Sequence, residues 1–172
     1  MKKVVISGGP GCGKTTTINY LSRMGYYTVP EVLQTIKNEA RGLIEELYNT
    51  NKLAFEETIF NMQLELENKI PSDKDIVFLE RCCGDIIAYL KVFGLPVPQR
   101  MLDLSRNRYN QAFILDLIKE CKLSGRRGYK REEIHEELIN TYEMLGYAPI
   151  IVPEMPVKER VNFILEKIIG KL

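Results

Sequence analysis

Short apolar runs alternate with longer amphipathic segments along the whole chain. The runs are rich in β-branched residues and several are continuously apolar, which is typical of strands buried on both faces of a parallel sheet. They predict five strands, at Val4–Ile6, Tyr26–Val29, Ile76–Leu79, Ala112–Leu115 and Pro149–Val152. The segments between them predict helices over Lys14–Arg23, Val32–Asn68 with a break near Tyr48–Asn51, Asp85–Val92, Glu132–Leu145 and Val157–Ile169.

This alternation of strand and helix predicts an α/β fold. We expect one domain over residues 1–172, with a five-stranded, mostly parallel sheet and helices on both faces. Ligands of such folds bind beyond the carboxyl ends of the strands. Candidate functional residues are therefore sought directly after each predicted strand.

Composition narrows the classes of partner. The chain has 172 residues, with 24 Lys and Arg against 23 Asp and Glu, for a formal net charge of +1. This balance argues against a nucleic-acid coat and against a polybasic membrane anchor. No apolar stretch reaches the ~20 residues of a membrane span. The four cysteines are not spaced for zinc, so we expect a cytoplasmic protein with reduced thiols and leave a homo-oligomer open.

A glycine-rich loop follows the first predicted strand. It fits the phosphate-binding pattern G-x-x-x-x-G-K-[ST] over the residues Gly8, Gly9, Pro10, Gly11, Cys12, Gly13, Lys14, Thr15 and Thr16. Glycines let backbone N–H groups wrap around a triphosphate, and the first turn of the following helix faces the anion. Lys14 is placed to reach the β- and γ-phosphates, and the Thr15 hydroxyl to bind Mg²⁺. The motif predicts nucleotide binding.

Acidic residues follow three of the predicted strands. A nucleotide-transferring site needs a carboxylate near the phosphates, either for magnesium or for the nucleophile. We prefer Glu80, followed by Arg81, as this magnesium-side carboxylate, and keep Asp116 as the alternative or as an ordinary strand-end residue. Glu31 either faces an acceptor hydroxyl as base or binding group, or satisfies free N–H groups at a helix start.

A basic segment precedes the helix predicted from Glu132. Adjacent arginines, Arg126 and Arg127, stand between glycines in this segment. Flanking glycines with paired guanidinium groups suit a lid, over residues 120–131, that closes over the transferred phosphoryl group. A solvated turn is the alternative.

Taken together, these segments resemble the family of AAA-type predicted ATPases and kinases that is allied to ribosylnicotinamide kinase. The resemblance rests on the glycine loop, on Val29-Pro30-Glu31, on Glu80-Arg81 and on the Gly125-Arg126-Arg127 segment. It implies a nucleotide kinase-like P-loop fold with a short lid, ATP and Mg²⁺ as cofactors, and phosphate binding by Arg81. It also makes Arg127, which best matches the lid arginine of the family, the preferred phosphate contact, with Arg126 as the reserve. This chain departs from the family pattern twice, with Gln34 where an arginine is common and Glu80 where an aspartate is common.

We therefore expect a Mg²⁺-dependent enzyme that transfers the γ-phosphate of ATP to a small nucleoside- or nucleotide-like acceptor. The candidate catalytic residues are Lys14, Glu31, Glu80, Arg81 and Arg127. The alternative is an ATP or GTP hydrolase that acts as a switch or on a protein or RNA partner. The glycine loop alone does not distinguish the two.

Overall fold

The computed structural model describes residues 1–119 and 130–170, and in these ranges the chain forms five strands and eight helices. The strands are β1 (Lys2–Ser7), β2 (Tyr27–Val29), β3 (Ile76–Glu80), β4 (Gln111–Leu115) and β5 (Ile150–Val152). The helices are α1 (Lys14–Arg23), α2 (Val32–Thr35), α3 (Asn38–Thr50), α4 (Lys52–Asn68), α5 (Cys83–Val92), α6 (Gln99–Ser105), α7 (Arg131–Met144) and α8 (Val157–Ile169).

The five strands form one sheet in the order β2-β3-β1-β4-β5, and every pairing is parallel. β1 lies at the centre, with Ile6 opposite Glu80 of β3 and Ser7 opposite Ile114 of β4. The carboxyl ends of β1 and β3 therefore lie side by side. This places the loop after β1 next to the Glu80-Arg81 segment.

Alternate residues of the strands bury into two separate cores, as expected for a parallel sheet covered on both faces. Val4, Ile6 and Phe113 pack on the side of α1 and α8. Val5 and Ile114 pack on the side that holds α4, α5 and α7. The α/β prediction, with helices on both faces of the sheet, is confirmed.

The predicted strands and helices agree with the structure except at two points. The bounds of α1 and α8 agree with the sequence analysis, and all five strands are present. The segment Val32–Asn68 breaks at Asn51 as expected, but also a second time at Ile36, whose backbone is extended. The second correction is α6, which the sequence analysis missed. No helix in the two described ranges is both long and apolar enough to cross a lipid bilayer.

Candidate functional site

The loop after β1 is held open by glycines that no other residue could replace without strain. Gly8 has φ +141° and Gly13 has φ +87°. A Cβ on Gly8 would lie 2.6 Å from the carbonyl oxygen of Leu115, and one on Gly13 would lie 2.5 Å from Nη1 of Arg160. Both positions therefore require glycine, which keeps Cβ atoms away from the backbone that would form a phosphate cradle.

Arg160 supports the end of this loop from α8. Its Nη1 donates to the carbonyl oxygen of Gly13 at 3.3 Å and to Oγ1 of Thr17 at 3.2 Å, while Nη2 donates to the carbonyl oxygen of Met155. The side chain is buried and adds a positive charge beside the loop. Sequence reasoning missed Arg160, because it lies 147 residues from Gly13 within a helix whose apolar residues dominate the pattern.

Lys14 begins α1 and folds back over the loop. Its Nζ donates to the carbonyl oxygens of Gly8 at 2.8 Å and Gly9 at 2.9 Å. Burial lowers the pKa of Lys14, and the nearby charge of Arg81 lowers it further. The first N–H groups of α1 have no acceptor within their helix. An anionic group at this point would satisfy them together with the ammonium group of Lys14.

Thr15 and Glu80 contact each other directly. The Thr15 hydroxyl donates a short hydrogen bond to Oε1 of Glu80, which joins the glycine loop to the end of β3. Burial raises the pKa of Glu80, and the hydrogen bond from Thr15 opposes that rise. A hydroxyl and a carboxylate oxygen are the ligand types that Mg²⁺ prefers, so both residues fit the metal role expected of them.

Arg81 lies at the centre of a small charged cluster beside Glu80. Its backbone takes the left-handed conformation, with φ +59°. Nε lies 3.1 Å from Oε1 of Glu31, and Nη1 donates to the hydroxyl of Tyr89 at 2.9 Å. The guanidinium also lies over the Tyr89 ring, 5.2 Å from its centroid. The structure thus brings Glu31, Glu80 and Arg81 together.

Glu31 does not act as a helix cap. It precedes α2, but its side chain accepts no hydrogen bond from the backbone of that helix. Its carboxylate turns to Arg81 instead. From α2 itself, Nε2 of Gln34 donates to Oε2 of Glu80 at 3.5 Å.

Asp85 lies next to this cluster and connects the elements around it. It is buried, and its carboxylate accepts hydrogen bonds from the Ser7 hydroxyl at 2.7 Å, the Tyr142 hydroxyl at 2.7 Å and the Cys82 backbone N–H at 3.0 Å. These bonds tie the end of β1 to the start of α5 and to α7. Asp85 therefore fixes the strand that leads into the glycine loop to two helices.

Asp116 has the features of an ordinary strand-end residue. It is exposed, and its Oδ1 accepts a hydrogen bond from the backbone N–H of Leu117. Nε2 of His135 lies 3.6 Å from the same oxygen, and burial lowers the pKa of His135. Glu80, which Thr15 bonds directly, has the better geometry for the magnesium side.

Glu56 is a buried acid near the cluster that sequence reasoning missed. Glu56 lies on α4 and is 6% exposed. Burial raises the pKa of its carboxyl group to about 7, although the charges of Arg81 and Lys52 act to lower it. No hydrogen bond or ion pair of the described side chains involves its carboxyl group, and its oxygens are not among the buried side-chain atoms that lack a partner. The sequence spacing could have indicated its burial, because Glu56 shares a helix face with Ile59, Phe60 and Gln63.

The proposed lid arginines, Arg126 and Arg127, lie outside the described residues. Only the end of the predicted lid segment is described, where Lys130 precedes α7 and Arg131 begins it. In the part of the chain that is described, no group of three or more His, Cys, Asp or Glu side chains is arranged to hold a metal ion. A metal at Thr15 and Glu80 would need further ligands from a nucleotide or from water.

A comparison with family models identifies the family. A model described as "AAA domain" matches residues 3–160, which is most of the chain. The chain belongs to this AAA domain family. The resemblance seen in the sequence is thereby confirmed, and the matched range includes the glycine loop, Glu31, Glu80-Arg81 and Arg160.

Solved structures show which fold this AAA-domain chain has. A NadR protein in complex with NAD and AMP-PNP matches with a TM-score of 0.69 and 18% identity, over 98% of this chain and 49% of that one. A thymidylate kinase from Ehrlichia chaffeensis matches with a TM-score of 0.71 and 18% identity, over 97% of this chain and 98% of that one. A shikimate kinase from Aquifex aeolicus matches with a TM-score of 0.63 and 19% identity, over 98% and 97%.

These matches confirm the P-loop kinase-like fold. The chain spans about half the length of the NadR chain but nearly all of the thymidylate and shikimate kinases. At this level of identity the likeness concerns the fold alone.

Proposed function

We propose that this protein transfers the γ-phosphate of ATP, with Mg²⁺, to a small nucleoside- or nucleotide-like acceptor. The observation that carries the proposal is the contact between Thr15 and Glu80, directly beside the Glu31–Arg81 ion pair. A phosphate cradle, a carboxylate at its edge and a second acid with a guanidinium group are the components that phosphoryl transfer to a bound acceptor requires.

The glycine loop and Lys14 would hold the triphosphate. Lys14 now donates to two carbonyl oxygens of the loop, and phosphate oxygens would replace these weaker acceptors. Its ammonium group would then stabilise the negative charge on the β- and γ-phosphates. The NadR structure of the same fold contains AMP-PNP, which supports the binding of a nucleoside triphosphate.

Thr15 and Glu80 would hold Mg²⁺. When it is bound, the ion neutralises part of the negative charge of the phosphates. Gln34 donates to the other oxygen of Glu80 and orients the carboxylate without neutralising it.

Glu31 and Arg81 would face the acceptor. The acceptor oxygen forms a bond to the γ-phosphorus, the bond from that phosphorus to the ADP oxygen breaks, and the hydroxyl proton passes to Glu31. Arg81 would stabilise charge on the transferred group. From the sequence alone, Arg126 and Arg127 are proposed to approach the same group from the lid.

The rate of ADP formation tests this proposal. ATP and Mg²⁺ are supplied with and without a pool of nucleosides, nucleoside monophosphates and vitamins. We expect the pool to raise ADP formation strongly in the wild type. Lys14→Ala should abolish this rise, since loss of one such electrostatic contact raises the barrier by about 3 kcal/mol or more. ADP formation that no acceptor alters would favour the hydrolase alternative.

A further inference from the structure

Two buried cations bind the glycine loop, one at each end. Lys14 and Arg160 are each 6% exposed, and no other lysine or arginine in the described part of the chain is as deeply buried. Lys14 donates to the carbonyl oxygens of Gly8 and Gly9 at the start of the loop. Arg160 donates to the carbonyl oxygen of Gly13 at its end. The loop thus has a buried positive charge at both ends.

Arg160 has no acidic partner among the described residues. Its other hydrogen bonds go to two uncharged groups, the Thr17 hydroxyl at 3.2 Å and the carbonyl oxygen of Met155 at 3.0 Å. Burial lowers the pKa of Arg160, because the charged form is taken out of water. A buried charge without a counter-charge destabilises the fold, so an anion that binds beside Arg160 gains from its presence.

The bond from Arg160 fixes the orientation of the peptide group that joins Gly13 to Lys14. The oxygen of this group also accepts from the backbone N–H and the hydroxyl of Thr17, both at 3.0 Å. In a trans peptide the C=O and N–H groups point in opposite directions. The N–H of Lys14 therefore points away from α1, to the place beyond a helix N-terminus where anions bind.

The charge of Arg160 also strengthens this N–H group as a donor. A hydrogen bond from an ionised donor polarises the carbonyl, and the N–H of a polarised peptide is more positive. The Thr17 hydroxyl accepts from Arg160 and donates to the carbonyl oxygen of Gly13, so it provides a second path for the same effect.

We infer that Arg160 is a positioning residue for the phosphate chain of the nucleotide, and that it acts through the peptide group between Gly13 and Lys14. The inference rests on the proposed function but uses only its nucleotide-binding step. Lys14 exchanges its carbonyl partners for phosphate oxygens, whereas Arg160 keeps its own partners and contacts no ligand. Helix α8 thereby sets the affinity of a loop 147 residues away along the chain.

Titration calorimetry with ATP and with inorganic tripolyphosphate, both with Mg²⁺, tests the inference. Arg160→Met removes the charge and the donors. We expect the Kd of both ligands to rise about tenfold or more, as for the loss of a hydrogen bond from a charged donor. The two factors should be similar, because tripolyphosphate has neither base nor sugar. An unchanged Kd for tripolyphosphate overturns the inference, as does a wild type that binds ATP but not tripolyphosphate.

Two further variants separate positioning from charge and from folding. Thr17→Val keeps Arg160 but removes the second path, and should raise both Kd values several-fold. Lys158→Met removes a charge from the exposed side of α8 and should change neither. The fit gives the number of sites separately from the Kd, so unfolded protein lowers only that number. Wild-type Kd values in Thr17→Val, or equal losses in Arg160→Met and Lys158→Met, overturn the inference.

The proposed function fails separately. If Arg160→Met weakens the binding of both ligands but the wild type phosphorylates no acceptor, the phosphotransferase is contradicted and the role of Arg160 stands. If the wild type phosphorylates an acceptor and Arg160→Met binds both ligands as the wild type does, the role of Arg160 is contradicted and the phosphotransferase stands.

Discussion

Nε2 of Gln34 lies 3.5 Å from Oε2 of Glu80, so the two positions at which this chain departs from the family pattern contact each other. An arginine at position 34 would form an ion pair with the carboxylate at position 80. The glutamine amide orients that carboxylate but leaves its charge uncompensated. Gln34 and Glu80 are therefore linked by this contact, and the uncharged amide leaves Glu80 available to the metal side of the glycine loop.

Gln34→Arg tests this linkage. The new guanidinium should pair with Glu80 and compete with Mg²⁺, so the Mg²⁺ concentration for half-maximal activity should rise several-fold. Gln34→Met keeps the length of the side chain without a charge and should change the Mg²⁺ requirement little. A magnesium titration of ADP formation measures both variants. An equal Mg²⁺ requirement in Gln34→Arg and the wild type would show that residue 34 does not influence Glu80.

Glu80→Gln should lower turnover far more than it weakens ATP binding. The glycine loop and Lys14 would still hold the nucleotide, but the carboxylate that Thr15 contacts would lose its charge. Asp116→Asn is the matched control, because Asp116 is exposed and bonds the next backbone N–H. Turnover and the Kd for ATP are measured for both. If Asp116→Asn is inactive while Glu80→Gln retains activity, the magnesium-side carboxylate is the one that follows β4.

Glu56→Gln should stabilise the protein in a pH-dependent way. Burial raises the pKa of Glu56 from 4.5 to about 7, so the folded state binds more protons than the unfolded state between these values. The free energy of unfolding contributed by this group therefore falls as pH rises through that window, by about 3 kcal/mol in total. Glu56→Gln should recover up to about that amount at pH 8 and almost none at pH 4.

Urea denaturation at the two pH values measures this difference. Glu57→Gln, on the exposed face of the same helix, should change the free energy of unfolding by less than about 0.5 kcal/mol at both. A Glu56→Gln variant that is less stable than the wild type at pH 8 would mean that the carboxylate has a partner in the folded protein.

Arg127→Ala tests the predicted lid, whose arginines are proposed from the sequence alone. A lid arginine that contacts the transferred group mainly in the transition state should lower kcat strongly and leave the Kd for ATP within a few-fold. Arg126→Ala, which removes the same charge from the neighbouring position, should have the smaller effect. Wild-type kcat in Arg127→Ala would assign the segment to a solvated basic turn.

The fold was predictable from the sequence because its signals are local. The glycine loop fixes the junction of β1 and α1, and five apolar runs mark the strands of a sheet buried on both faces. The helix α6 was missed because it is only one to two turns long and follows Leu95-Pro96-Val97-Pro98, which is typical of a loop. The break at Ile36 was missed because no proline or glycine marks it.

The site was predictable only where a motif or a strand end marked it. Glu80, Arg81 and Glu31 follow strands, and the structure brings them together at one edge of the sheet. The roles of Glu56 and Arg160 depend on which face of a helix packs against a distant loop. The sequence pattern indicates that these residues lie on apolar faces, but not what they meet there.

The destination of the γ-phosphate tests the central proposal most directly. The protein is supplied with ATP labelled at the γ-phosphate, with Mg²⁺ and with the pool of nucleosides, nucleoside monophosphates and vitamins, and the labelled products are separated. We predict that the label appears in a phosphorylated member of the pool in an amount equal to the ADP formed, and that Lys14→Ala forms neither. Label that appears only as inorganic phosphate, in equal amounts with and without the pool, would contradict the assignment as a phosphotransferase.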